Sequence, residues 1–363
     1  TLLVNQTDVV SRFKSEGGGV QLTLNAGMEV SRESYDTQLL SFSPTAPTDA
    51  LFNPNPDLPY RPAVNLGNLT ETLAHGQAGF GFGTLSFADV IDFTAGLRYD
   101  RYSTHSSVYA QGTAPTSSQK RVDTEPSYKI GVVGKPLPYG SVYFTYSTSF
   151  NPSAEEVAIT AATDSTPPET NSTYEFGTKW DVLDRKLSLT SAAFWIEKNN
   201  ARSGTDPITG DTANVGKARV RGFEMGATGY LMKDWQIFTG YTYLDSKILN
   251  SATAAEVGKR LYNVPTHSLS LWSTYETPWN VQVGFGAQFV GHRHLTNANT
   301  GLEAEAYVLF DAMVAYHVTE NIDVRLNGYN LGNEDYIASA HAGGAHYIPG
   351  AGRSAILSTS LKF

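Results

Sequence analysis

A chain of 363 residues with 26 Lys+Arg against 35 Asp+Glu carries a formal net charge of -9. This argues against nucleic-acid binding, because a phosphate-binding face needs clustered positive charge. The absence of cysteine removes disulfide frameworks and thiolate metal sites, as suits an envelope protein that crosses an oxidising compartment. No apolar run approaches the ~20 residues that a membrane helix requires, but a membrane β-barrel stays open, because alternation hides its hydrophobicity from an average such as the mean hydropathy of -0.26.

The chain starts inside an alternating strand, "TLLVNQTDVVSRFKSEGG", with neither an initiator Met nor a signal peptide, as expected of a mature segment or a fragment. Period 2 then recurs along its length. In "VQLTLNAGMEV", Val20, Leu22, Leu24, Ala26, Met28 and Val30 alternate with polar residues and glycine. In "IDFTAGLRY", Ile91, Phe93, Ala95, Leu97 and Tyr99 oppose Asp92, Thr94, Gly96 and Arg98. In "YEFGTKWDV", Tyr174, Phe176, Trp180 and Val182 oppose Glu175, Gly177, Lys179 and Asp181. In "VQVGFGAQF", Val283, Phe285 and Phe289 oppose Gln282, Gly284, Gly286 and Gln288. In "DAMVAYHVTENIDVRLNGYNLG", two such strands meet at a turn. Roughly fifteen strands of this kind are expected, with no helical region and no domain boundary, so residues 1–363 read as one β-barrel domain.

Short connections ("KSEGG", "FADV", "PLPYG", "DVLDRK", "MKDW", "ETPWN", "VTEN") take turns with long ones, at about 41–74, 105–122, 152–170, 202–214, 249–262, 295–304 and 337–352. Short turns on one side and long loops on the other are the pattern of an outer-membrane barrel. Aromatics gather toward both interfaces: Phe87, Tyr139, Trp180, Trp235, Trp279 and Phe363 near the short turns, and Tyr99, Tyr146, Phe150, Tyr241 and Tyr243 toward the long loops. The fold class is therefore all-β, a transmembrane antiparallel barrel. The competing soluble sandwich or propeller fits less well, since strands there usually run about five or six residues. The last strand, "SAILSTSLKF", ends on an aromatic, which resembles an assembly signal for such barrels.

This assignment puts the apolar face in lipid and the charged face in a lumen. A charge on the lipid face at mid-bilayer costs ~2–4 kcal/mol, a cost that fixes the register of each strand. Asp92, Arg98, Glu175, Lys179, Glu224, Asp311, Asp323 and Arg325 are then expected inside, paired with one another or with whatever fills the barrel.

Several stretches resemble TonB-dependent siderophore receptors, and among them the ferric-catecholate branch: "VGKARVRGFEMGATGYLMKDWQIFTGYTYLDSKI", "YNVPTHSLSLWSTYE", "LNGYNLGNEDYIAS" and "PGAGRSAILSTSLKF", preceded by "NPSAEEV", "TYEFGTKWDVLD" and "LTSAAFWIEKNNAR". The resemblance runs along nearly the whole chain in family order. It implies a 22-stranded barrel closed around an N-terminal plug, of which this chain would be the C-terminal part, with the plug and its TonB-binding box absent. It also implies energy-coupled import of a ferric siderophore in the outer membrane of a Gram-negative bacterium, with no covalent chemistry and no resident cofactor. The expected partners are the ferric siderophore, the TonB complex through the plug, outer-membrane lipid and lipopolysaccharide, with the protein a monomer. A passive porin-like channel is the alternative.

Candidate ligand contacts follow from chemistry that suits an anionic ferric catecholate. In "VGHRHL", His292 and His294 share one face and are expected to point into the lumen, with Arg293 outward. In "HAGGAHYIPGAGR", His341, His346, Tyr347 and Arg353 offer cations, hydrogen bonds and a ring, and Arg202 does so in "NNARSG". Direct metal ligation by these residues is not expected. Lys217, Arg219 and Arg221 of "KARVR" share the parity of Phe223 and are expected outward, above the lipid, where lipopolysaccharide phosphates would meet them. No G-x-S-x-G elbow, H-E-x-x-H motif or P-loop is present, so an enzyme is not expected.

Overall fold

A computed structural model describes residues 1–43, 55, 57, 61, 63–110, 114–152, 167–201, 216–301, 303–340 and 346–362. Fifteen strands form one antiparallel sheet in which each is hydrogen-bonded to its predecessor and successor in the wall. They are β1 (Leu2–Lys14), β2 (Val20–Ser43), β3 (Ala63–Phe87), β4 (Ile91–Tyr109), β5 (Pro115–Leu137), β6 (Gly140–Asn151), β7 (Glu169–Val182), β8 (Leu187–Ala201), β9 (Gly216–Met232) and β10 (Trp235–Asn250), followed by β11 (His267–Glu276), β12 (Val281–Val290), β15 (Tyr307–Thr319), β16 (Ile322–Tyr329) and β19 (Ser354–Leu361). Two small hairpins interrupt the series near its end, β13 (Arg293–His294) with β14 (Glu303–Ala304), and β17 (Ile337–Ala340) with β18 (Tyr347–Pro349). β1 and β19 are the sheet's two edges, and among the described residues they do not pair with each other.

The expected strand count and alternation hold. One face carries Phe93, Leu97, Ile130, Phe144, Phe176, Phe223, Phe285, Val314 and Leu326, each uncovered by any other part of the chain. That pattern is ruinous in water and required in lipid. Rings near the turns make a lower girdle, with Phe87 on Phe93 (centroids 6.1 Å apart) and Tyr139 on Trp180 (6.4 Å). An upper girdle follows Tyr128, Tyr146 and Tyr174 (5.9 and 4.6 Å), then Phe223 with Tyr241 (5.6 Å).

On the other face, charges neutralise one another within and between strands. Arg98 holds Asp100 (2.8 Å) and Glu29 (3.1 Å), and Lys135 holds Asp92 (2.6 Å). The Tyr143 hydroxyl donates to Glu175 (2.7 Å), with Lys179 over the Tyr143 ring at 5.8 Å. Asp323 takes His317 (2.6 Å) and Lys362 (3.6 Å). Several glycines on this face lie beneath an aromatic ring of the directly opposite residue: Gly27 under Phe80, Gly96 under Phe82, Gly177 under Tyr143 and Gly286 under Trp272. A Cβ at Gly286 would sit 2.7 Å from the Trp272 ring, so the absence of a side chain lets the indole lie flat on the wall.

The connections depart from expectation. Residues 63–74 and most of 105–122, read as loop, continue β3, β4 and β5 as paired strand. At about 3.3 Å per residue, the 25 residues of β3 extend roughly 80 Å, whereas a tilted barrel strand needs only about 9–11 residues to cross a bilayer. The extra length lies above the apolar band, where the buried positions are mostly small and polar, such as Thr72, Ser106 and Ser107, and no apolar stripe marks the strand. The terminal Phe363 lies outside the described residues.

Candidate ligand-binding rim

The long-loop end of β11–β19 carries most of the candidate contacts. Its geometry begins with asparagine. Asn263, Asn299, Asn330 and Asn333 all adopt left-handed backbone (φ 46 to 58°), a conformation that asparagine tolerates better than other side-chain-bearing residues. Each then uses its carboxamide to bind a loop. Asn330 donates to the carbonyls of Glu334 (2.9 Å) and Ala351 (3.0 Å) and accepts from Glu334 N–H (2.8 Å), while its own N–H donates to Asp311 Oδ1 (2.8 Å). Asn299 accepts from Arg260 N–H (2.8 Å) and donates to the carbonyls of Arg260 and Thr296 (both 3.0 Å). Asn333 accepts from Arg353 N–H (3.0 Å).

Arg293 is the centre of this arrangement, and here an expectation fails. Arg293 is not on an outward rim, since it is only 5 % exposed. Its guanidinium donates to Asn263 Oδ1 (3.1 Å), Ala338 O (3.2 Å) and Ile337 O (2.5 Å), and lies 5.9 Å from the centre of the Tyr307 ring. Tyr307 packs on Tyr336 with centroids 4.3 Å apart. Strand parity from β12 misplaces Arg293 because Gly291 and His292 leave the main sheet before β13 begins a new one. The guanidinium thus clamps the β13–β14 hairpin against the β17–β18 hairpin.

His292 and His294 project from the opposite, more open side of β13, with ring centroids 5.1 Å apart at 88°. Both approach Glu303, a residue that sequence reasoning missed. His292 Nε2 lies 2.7 Å from Oε2, and His294 Nδ1 3.1 Å from Oε1. The hydrogen bond from His292 holds the Glu303 carboxyl below the usual glutamate range. The signal for Glu303 would have been the hairpin register, which needs "HRH" and "EA" to be paired across a loop with no alternation. Tyr347 is exposed on β18, His346 just before it, and Arg353 is exposed at the base of the same loop, with Nη1 3.4 Å from Leu331 O. Arg202 and His341 lie outside the described residues.

Asp311 touches this rim through Asn330, and the other predicted residues lie away from it. Asp311 accepts from the backbone N–H of Asn330, and Glu224 lies near Tyr143 on the inner face. Lys217 meets Glu197 (2.8 Å), Arg221 meets Asp245 (2.7 Å), and Arg219 and Arg221 stack over Trp195 at 5.0 and 5.9 Å.

A wall of paired strands with an apolar outer face, a charge-compensated inner face and a rim of basic and aromatic groups matches known proteins. Residues 3–331 match the family model described as TonB dependent receptor-like, beta-barrel. The chain belongs to the TonB-dependent receptor β-barrel family. Among relatives, it is 36% identical over 286 residues to a probable TonB-dependent siderophore receptor, PiuA, of Acinetobacter baumannii, covering 74% of this chain and 38% of that protein. It is 31% identical over 397 residues to the catecholate siderophore receptor Fiu of Escherichia coli K12, covering 100% of this chain and 51% of Fiu. The crystal structure of Fiu in its closed form superposes with a TM-score of 0.85 at 28% identity, and that of PiuA with 0.87 at 28%; both cover 100% of this chain, and 54% and 56% of the other. The chain therefore spans about half the length, or less, of these relatives. Barrels of this family reside in the Gram-negative outer membrane, which accounts for the uncovered apolar face of this one. The family consists of transport receptors.

Proposed function

We propose that this chain forms barrel wall and outer rim of a receptor that imports a ferric siderophore of the catecholate type across the outer membrane, energised by TonB. The observation that carries this reading is the wall itself, which follows the Fiu and PiuA structures over its whole length while keeping an inner face of compensated charge. The iron complex is cargo; the protein performs no covalent chemistry and needs no resident cofactor. His346, Tyr347 and Arg353 supply cation, hydrogen-bond and ring contacts to the anionic complex from the last loop, joined by His292, His294, His341 and Arg202. The inner-face charges Arg98, Glu175, Lys179, Glu224, Asp311 and Arg325 face the material that fills the barrel. On the outside, Lys217, Arg219 and Arg221 outnumber Glu197 and Asp245 and are suited to lipopolysaccharide phosphates, with the receptor acting as a monomer.

The test is growth on defined ferric siderophores as sole iron source, in cells carrying the full-length gene with and without functional TonB. TonB-dependent growth on a ferric catecholate, and not on a hydroxamate, is expected. Uptake indifferent to TonB would support a passive porin-like channel instead.

A further inference from the structure

Among the described residues, one group of three side chains has the donor atoms and spacing of a metal centre, and the transport reading does not use it as one: His292, His294 and Glu303, whose ligating atoms all lie within 4.8 Å of one another. The hairpin register produces the cluster. His294 is directly opposite Glu303 in the β13–β14 ladder, and His292 precedes His294 by two residues. Cross-strand partners and i,i+2 neighbours share a face of a pleated pair, so all three converge.

The backbone beneath is fixed before any ion arrives. Asn263 N–H donates to His294 O (2.7 Å), Gly291 N–H donates to His267 O (2.8 Å), and the intervening Arg293 is clamped by three acceptors. The side chains above are not fully satisfied. Glu303 hydrogen-bonds His292, but His294 Nδ1, sealed from solvent, reaches its nearest carboxylate oxygen without an aligned hydrogen bond. A tetrahedral ion with bonds of about 2.0–2.2 Å sets its ligand atoms roughly 3.4 Å apart. The ligating atoms of this group, within 4.8 Å of one another, lie at most about 1.4 Å outside that spacing. The three side chains remain 23% to 46% exposed, so an ion has a path in and keeps an outward coordination position.

We propose that His292, His294 and Glu303 form a binding site for a divalent transition-metal ion of the zinc, nickel or copper class, separate from the iron carried as cargo. Two imidazoles and one carboxylate select this class over magnesium or calcium, which take oxygen ligands, and the missing thiolate leaves a site open to exchange. Since Arg293 ties the same hairpin to β17, the ion also anchors the rim at that point.

The test is calorimetric titration of ZnCl2 into the tag-free, full-length receptor in detergent after chelator treatment, with Co2+ absorption in parallel. One saturable site and visible Co2+ bands of tetrahedral intensity are expected. His292→Ala, His294→Ala and Glu303→Gln should each weaken Zn2+ at least about tenfold and remove the bands, while His105→Gln, on β4, leaves both unchanged. Circular dichroism of each variant checks that the barrel is folded, and the conservative Glu303→Gln keeps shape while removing the anionic ligand. No saturable Zn2+ binding, or binding that survives all three substitutions together, overturns the proposal.

Discussion

The wall has a tall half and a low half, and they solve the same problem differently. β2, β3, β4 and β5 run 24, 25, 19 and 23 residues, whereas β11, β12, β15, β16 and β19 run 10, 10, 13, 8 and 8. Above the apolar band, the tall half simply continues its sheet. Its upper strands are rich in Ser and Thr, whose hydroxyls pair across the ladder: Thr72 with Ser106 at 3.2 Å, and Ser107 with Ser118 at 3.4 Å. The low half stops its sheet early and crowns it with two short hairpins held by Arg293 and a few asparagines. Continuing a sheet spreads stability over many repeated, weak backbone bonds. Crowning it concentrates stability in a few polar side chains that each satisfy several carbonyls.

Substitutions can break that contrast, and the largest effect belongs to the low half. Arg293→Met fills a similar volume but leaves the carbonyls of Ile337 and Ala338 and the Asn263 carboxamide without their donor. A local loss of about 3 kcal/mol is expected, because bonds from a charged group are lost and buried acceptors stay behind. Hydrogen exchange at residues 337–340 should accelerate while β2–β5 stay protected; unchanged exchange there would remove Arg293 from its central role. Asn330→Ala should cost about 2 kcal/mol, from lost carboxamide bonds and an unfavourable left-handed backbone. It should loosen 331–336 first, measured by limited proteolysis of the folded barrel. Thr72→Val on the tall half removes the hydroxyl that meets the buried Ser106 and should cost about 1 kcal/mol, with any change in exchange confined to the ladder at 72 and 106. If Thr72→Val proved as damaging as Arg293→Met, the division between spread and concentrated stability would be wrong.

The same division explains what the sequence reveals. Where one face meets lipid, the alternation of "IDFTAGLRY" or "VQVGFGAQF" announces strand, register and facing together, because a misplaced charge is costly. Residues 63–74 and 105–109 announce nothing of the kind, since the positions they bury are small and mostly polar, such as Thr72, Ser106 and Ser107, and they read as loop. The rim was partly legible. "HRH" places two histidines on one face, but parity extended past Gly291, where the chain changes sheet, puts Arg293 on the wrong side. Glu303 was invisible because its partnership depends on a hairpin closed by residues of no periodicity. The asparagines in "YNVP" and "YNLGN" stand in stretches that resemble the receptor family. Their reason, left-handed backbone together with a carboxamide that closes a loop, became readable only with the carbonyls in place.

Gly286 beneath Trp272 has an optical consequence. The chain has five tryptophans. Trp180, Trp195 and Trp235 belong to the lipid-facing side and Trp279 stands uncovered in a turn, while Trp272 alone lies flat against the inner surface. Its emission is thus segregated from the others by the thickness of a single sheet. Quenchers dissolved in lipid reach one population, and water-borne or strongly absorbing molecules held inside the barrel reach the other, so the wall carries its own fluorescent reporter of what occupies its interior.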